Sequence, residues 1–158
     1  MPRDLGTITI RDGEILFQNF AGREATYNAP GKRNFCVVID DEALAEQLAR
    51  DGWNIKATKP REEGDVPRPY LQVKVMFGRK PPKIVMITSR GRTDLDEGLV
   101  DLLDKLDIVK ADMIIRPFEW APGKLSAYVK SLFVTVYEDE LDLDYADVEY
   151  ANQRPDGD

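Results

Sequence analysis

Chemistry on a polypeptide needs nucleophiles, acid–base groups or metal ligands, and this sequence is short of the commonest ones. Its 158 residues include no histidine and a single cysteine, Cys36. Imidazole acid–base catalysis, His-dependent serine and cysteine triads and most zinc sites are thereby excluded. Carboxylates, lysine and arginine remain. One spacing echoes a metal-dependent nuclease: Asp65 stands seven residues before Gln72, with Lys74 two further on. Two-metal phosphate chemistry needs paired carboxylates a few ångströms apart, and only one acid stands near Lys74. The residue types therefore point away from catalysis, and no cofactor or metal is expected.

What the residues can do is bind a polyanion. From Tyr70 to Arg92 the chain reads YLQVKVMFGRKPPKIVMITSRGR, with six cations (Lys74, Arg79, Lys80, Lys83, Arg90, Arg92) and no acid, in a chain of formal charge −7. Val, Ile and aromatic residues fill both halves, and Gly78-Arg79-Lys80-Pro81-Pro82 interrupts them, which reads as a β-hairpin with its prolines in the turn. That turn would set Phe77 opposite Lys83, Val75 opposite Val85 and Val73 opposite Ile87. Period-two alternation then gives a core face of Leu71, Val73, Val75, Phe77, Val85 and Ile87. The other face carries Tyr70, Gln72, Lys74, Met76, Ile84, Met86, Thr88 and Arg90. Cations beside an aromatic and soft apolar groups suit phosphates and stacked bases.

Other elements must position that hairpin. Thr7–Phe20 reads as one bent strand or two strands meeting at Asp12-Gly13, a bulge or hairpin signal. Ala21–Lys32 is a loop of turn formers that also carries Arg23, Tyr27 and Lys32, with Arg33 after it. Asn34–Ile39 is a short apolar strand in which Cys36 reads as a small buried residue. Asp40 or Asp41 caps a helix over DEALAEQLARDG that stops at Gly52. Trp53–Ala57 is a strand, and Lys59–Pro69 an exposed loop offering Lys59, Arg61 and Arg68. After the basic segment, Thr93 with Asp96 reads as the start of a second helix carrying Leu95, Leu99, Leu102, Leu103 and Leu106. Asp112–Pro117 and Leu125–Tyr137 are strands joined by FEWAPGK, which offers Phe118, Trp120 and Lys124; Trp53, directly after a helix, reads as core.

Charge divides the chain. Glu138–Asp158 holds nine acids and one base, whereas the first 137 residues balance near neutrality. The expected organisation is one domain over residues 1–137 and an acidic, flexible tail over 138–158. No apolar run approaches a membrane span and no signal peptide opens the chain, so a cytoplasmic protein is expected. From the basic segment onward the order is strand, turn, strand, helix, strand, loop, strand. This matches strands two to five of an OB-fold, with Trp53–Ala57 or an earlier strand as strand one. The expected class is β-rich (all-β/α+β): an OB-fold-like Greek-key barrel with added strands and two short helices.

That order, the basic aromatic segment and the acidic EDELDLDYADVEY together resemble phage-encoded single-stranded-DNA-binding proteins of the OB-fold type. NFCVVID, GWNIKATKPREEG, RPFEW and KSLFVTVYED add to the likeness. The resemblance implies sequence-non-specific binding of single-stranded DNA in phage DNA replication or recombination, in the host cytoplasm. The strand would cross the hairpin face between the loops Lys59–Pro69 and Phe118–Lys124. Implied contacts are Lys59, Arg61, Tyr70, Lys74, Met76, Arg79, Lys80, Lys83, Met86, Arg90, Arg92, Phe118, Trp120 and Lys124. The tail, through Glu138, Asp139, Glu140, Asp142, Asp144 and Tyr145, would compete for the groove and recruit replication or recombination enzymes. A homodimer is compatible with this reading. In the family the tail often ends on an aromatic residue; here it ends Gln153–Asp158, with Tyr145 and Tyr150 inside the acidic run. A virion or assembly protein using the same face for protein contacts is the alternative from another class.

Overall fold

The computed structural model describes residues 6–24, 28–60 and 62–138. Nine strands make one sheet: β1 (Ile8–Gly13), β2 (Ile15–Asn19), β3 (Arg33–Val38), β4 (Ile55–Ala57), β5 (Pro69–Val75), β6 (Lys83–Thr88), β7 (Gly91–Leu95), β8 (Ile108–Ala121) and β9 (Lys124–Val136). One helix, α1 (Glu42–Asp51), lies between β3 and β4. The expected acidic tail falls on residues 139–158, outside the described residues. No helix among the described residues is long and apolar enough to cross a membrane.

The sheet path runs β1-β8-β9-β5-β3-β2. Its first and last members are one bent strand. Gly13 pairs with Ala111 of β8, while the next carbonyl, on Glu14, accepts from the Val38 N–H after crossing to β3. Asp12-Gly13 is thus a bulge and not a hairpin. Asp12 takes φ 52°, and its N–H donates to the Asp112 carboxylate at 2.7 Å. A side chain at position 13 would press on Ile10, Val37 and Ala111, which accounts for the glycine. The sheet curls back on itself into a strand-rich, OB-like barrel of the expected class. The bent N-terminal strand takes the first place in the barrel, which the sequence reading had offered to Trp53–Ala57 or an earlier strand.

Alternate residues of each strand fill the interior: Phe35 and Val37, Leu71, Val73 and Val75, Ala111, Met113 and Ile115, then Leu125, Ala127, Val129, Leu132 and Val134. Side chains on one face of a pleated strand recur every second residue, so a single register buries all of them. On β9 the interval from Val129 to Leu132 is three. A register shift opposite Ile114/Ile115 absorbs the extra residue and keeps both side chains inside. Cys36 is buried but lies outside the central cluster; desolvation pushes its thiol up to about 11, so it stays protonated.

Two expectations change. The segments on either side of GRKPP do not form a hairpin. β5 and β6 lie end to end along the same edge of β9, both parallel to it, through Val73↔Ala127 and Lys74↔Tyr128, then Lys83↔Ser131 to Ile87↔Thr135. The tight turn lies further on at Ser89-Arg90, where β6 pairs with β7. Mutual pairing of β5 and β6 would satisfy only each other, whereas end-to-end placement satisfies the exposed edge of β9. Facing on β6 is consequently reversed: Ile84 and Met86 pack toward the central cluster, and Lys83, Val85 and Ile87 share the other face with Ser131, Phe133 and Thr135, where Val85 is nevertheless buried, as expected of it, at 1% exposure. The helix expected from Thr93 is absent too. Thr93 and Leu95 belong to β7, and only a 3-10 turn, Val100–Asp104, precedes β8. Asp96 accepts from Gly98 and Leu99 in the bend that leads into that turn, and Val100 and Leu103 are the residues the turn buries. Once β7 has taken the first residues as an edge strand, too little chain remains for a helix of several turns.

α1 forms as expected. Asp41 accepts from the Ala43 and Leu44 N–H groups, and Gly52 ends the helix at φ 106°. The Gly52 carbonyl accepts from the Leu125 N–H at 2.9 Å, and Trp53 bridges to Leu125, so the helix end is stitched to the start of β9. A Cβ on Gly52 would overlap the Gly123 carbonyl oxygen in the β8–β9 turn. Gly52→Ala is expected to lower unfolding stability by about 2 kcal/mol or more, from the positive φ and the overlap together. A urea titration monitored by circular dichroism checks this; an unchanged midpoint would show that the turn gives way freely.

Candidate nucleic-acid interface

The outer face of the barrel has a central row that crosses four strands. Asn34 on β3 pairs with Lys74 on β5, Lys74 with Tyr128 on β9, and Tyr128 with Arg116 on β8. All four point outward because their strand neighbours Phe35, Val73, Ala127 and Ile115 point in. Lys74 Nζ stands 5.7 Å from the centre of the Tyr128 ring and the Arg116 guanidinium 5.3 Å from it. Such cation–π contacts hold long side chains over a flat apolar surface. Phe118 meets Tyr128 edge-on at 6.1 Å.

The strands of β8 and β9 extend beyond the barrel, and their turn is only Pro122-Gly123; Phe118–Ala121 is strand and not the loop expected. Trp120 projects from this extension and is 58% exposed, with Lys124 Nζ 5.3 Å from its ring. Phe118 is 53% exposed. Trp53 is core at 6%, as expected.

Two adjoining hollows join these groups. One, of ≈ 700 Å³, is lined by residues that include Gln72, Lys74, Phe118, Trp120, Lys124 and Tyr128. The other, of ≈ 430 Å³, shares Gln72, Lys74 and Tyr128 and adds Asn28, Lys32, Arg33, Asn34 and Met76. Together they form an open trough from the β8–β9 turn to the loop before β3. Among the described residues no acidic side chain lines either hollow. Asn28 fixes the loop end. Its side-chain NH₂ donates to the Arg23, Ala29 and Lys32 carbonyls at 2.9–3.1 Å, and its oxygen accepts from Asn34 at 2.8 Å. Asp104 binds the start of the same loop through the Phe20 and Ala21 N–H groups at 2.8 and 2.9 Å.

Of the residues singled out in sequence, Lys74, Met76, Phe118, Trp120 and Lys124 line the trough. Tyr70 lies on the same outer face of β5, edge-on to Phe17 at 5.8 Å. Lys83 and Arg92 stand on the outer face beyond the trough, each 5.8 Å from the Phe133 ring. Arg79 and Lys80 are exposed in the connection between β5 and β6, and Arg90 is exposed in the β6–β7 turn. Met86 packs toward the core. Lys59 is exposed and outside the trough lining, and Arg61 lies outside the described residues. The loop that borders the trough opposite Trp120 is the one before β3, and not Lys59–Pro69. Arg68 pins that second loop to the seam of the barrel: it bonds Glu14 at 2.8 and 2.9 Å and Asp40 at 3.2 Å, and holds the Glu14 carboxyl below its usual range.

Glu138 accepts from the Ser89 N–H at 3.2 Å, while Asp139, Glu140, Asp142, Asp144 and Tyr145 lie outside the described residues. Asp65 accepts from the Glu62 N–H within its own turn, and no group of three potential metal ligands forms among the described residues.

Tyr128, Arg116, Asn28 and Asn34 were not singled out. Tyr128 had a signal: in LSAYVKSLFV it falls at a position that alternation assigns to the outer face, where a large aromatic is out of place unless it is used. Asn28 and Asn34 act through side-chain bonds within the irregular loop before β3 and carry no such signal.

The trough offers cations for phosphates, aromatic faces for bases and amides for polar edges. Comparison with known proteins accords with this chemistry. No curated protein matches the sequence. Among solved structures, the single-stranded DNA-binding protein from bacteriophage Enc34, in a C-terminal truncation, shares the fold with a TM-score of 0.52 at 13% identity. The likeness covers 85% of this chain and 87% of that one. Residues 2–156 match the family described as "Putative phage ssDNA-binding domain", and the chain belongs to that family.

Proposed function

We propose that the protein binds single-stranded DNA without sequence preference in the trough, in phage DNA replication or recombination, and that it is not an enzyme. The carrying observation is a lining with no acid among the described residues, where Lys74 stands against Tyr128 and Lys124 against Trp120, with Arg116 beside the lining on the far side of Tyr128, in a chain of net charge −7. Phosphates would draw these cations off the rings, and bases would take their place. Stacking on Trp120, Phe118 and Tyr128 contributes roughly 1–3 kcal/mol per base whatever the base is. Binding is therefore expected to depend on backbone charge and base planarity more than on sequence.

Trp53 is buried and Trp120 exposed, so the two tryptophans separate cleanly. Adding poly-dT is expected to quench Trp120 fluorescence, and Trp120→Ala should remove most of the quench while leaving the fold intact. Lys74→Ala with Arg116→Ala should reduce the slope of log affinity against log salt by about 1.4, from two lost phosphate contacts. A quench retained in Trp120→Ala, or an unchanged slope in the double variant, would place binding elsewhere.

The acidic residues Glu138–Asp158 are proposed to act as a competing polyanion and as a docking segment for basic patches on replication or recombination enzymes. Their first residue, Glu138, is held at Ser89, next to Arg90 and three residues from Arg92, so the acidic run begins at the basic rim of the barrel. A tethered segment has an effective concentration on the order of mM. Truncation after Tyr137 is expected to tighten oligonucleotide binding at low salt, with the two proteins converging as the charges are screened. Equal affinities at every salt concentration would leave the tail without a competing role.

A further inference from the structure

We propose that the bound strand continues beyond the trough along β9 to a second stacking position at Phe133, bordered by the basic segment from Lys74 to Arg92. The inference rests on the trough being a single-stranded DNA site. Tyr128 and Phe133 both face outward on β9, since Val129 and Leu132 between them face the core. Five strand positions set the two rings roughly 15 Å apart. Phe133 repeats part of the arrangement at Tyr128: two cations stand near its ring, here diagonally, while its cross-strand partners are Asp112 and Val85, with Asp94 next in the row. Lys83 Nζ and the Arg92 guanidinium each stand 5.8 Å from its ring, as Lys74 and Arg116 stand near Tyr128 at 5.7 and 5.3 Å.

The end-to-end placement of β5 and β6 explains the spacing of charge in the sequence. β5 leaves the edge of β9 after the Lys74↔Tyr128 pair, and β6 rejoins the same edge at Lys83↔Ser131. The connection between them carries Arg79 and Lys80, both exposed. Lys74 and Lys83 therefore follow one edge of β9 in order, and Arg92 reaches the Phe133 ring from β7, the strand beyond β6. A shallow hollow of ≈ 150 Å³ lies against Phe133 on the side of β8 and β1. Its single acid, Asp112, is bonded to the Asp12 N–H at 2.7 Å. A line of cations beside two outward aromatics fits a polyanion that also carries flat apolar groups, and single-stranded DNA is that polymer.

The test uses the full chain and two fluorescein-labelled oligo-dT probes, of about 4 and about 16 nucleotides, the ends of the usual range for one OB fold. Variants are Phe133→Ala and the double substitution Lys83→Gln, Arg92→Gln. The second changes only exposed side chains and guards against a folding defect in the first, which thermal melting also monitors. Each variant is expected to bind the longer probe about tenfold more weakly. The double variant should also lose about 1.4 from its salt slope on that probe. Neither should change affinity for the shorter probe, which the trough alone can hold. Unchanged affinity for the longer probe, or equal loss on both, overturns the second position. If Trp120→Ala and Lys74→Ala leave both probes bound as tightly as the parent, the trough reading fails as well, and the two failures are thereby told apart.

Discussion

The structure depends on one strand having both of its edges satisfied over nearly its whole length. β9 pairs with β8 on one side from Val136 to Lys124, and on the other with β5 and then β6. A bare edge inside a curled sheet would leave N–H and C=O groups without partners at a cost of order 1–3 kcal/mol each. The barrel meets this requirement with two short strands laid in line. The groups proposed for binding are then largely placed by β9: Tyr128 and Phe133 sit on it, Arg116 and Phe118 are on its cross-strand neighbour, and Lys74 and Lys83 come from the two strands on its other edge.

Much of this was legible in the sequence, and the failures have physical causes. The helix over Glu42–Asp51 was fixed by a capping aspartate and a terminal glycine, which are local signals. Trp53 as core, the long last strand and the β-rich OB-like class also followed from local pattern. The basic segment was recognised as a unit, but its geometry was misread. A turn-like pentapeptide between two β-runs says that the chain leaves the sheet, not that it reverses. Whether it reverses depends on β9, some fifty residues later. The same non-local pairing reversed the facing of Met86 and took the first turn of the expected second helix into β7. Tyr128 was visible only as an aromatic in an outward position. The network of Asn28 and Asn34 is local, within residues 23–34, but side-chain bonds inside an irregular loop leave no periodic signal.

The trough also shows how rigid and adjustable parts are divided. Lys74, Arg116 and Tyr128 are strand residues whose directions are set by core neighbours on either side. Trp120 stands on an extension of two strands whose base is tied to Gly52 and Trp53. The opposite wall is a loop, and it is held by side-chain bonds from Asn28 and by the Asp104 carboxylate. Arg68 serves the fold and not the site, although its loop looked in sequence like a source of phosphate contacts. Its guanidinium is engaged by Glu14 and Asp40.

The bent strand at Asp12-Gly13 also sets the order in which the barrel can be completed. Its first half pairs with β8, so Ile8 meets Ile115 across more than a hundred residues of chain. Its second half pairs with β3 some twenty residues away. The β8–β9 ribbon, by contrast, needs only its own turn. During synthesis β2 can find β3 early, while β1 must wait until β8 has emerged. Closure by such distant contacts slows folding, because the entropy of the intervening chain is spent before the contact rewards it. Until then the edges of β1 and β8 are open to pairing with other chains. In a cell making many copies at once, this seam is where two nascent barrels would exchange strands.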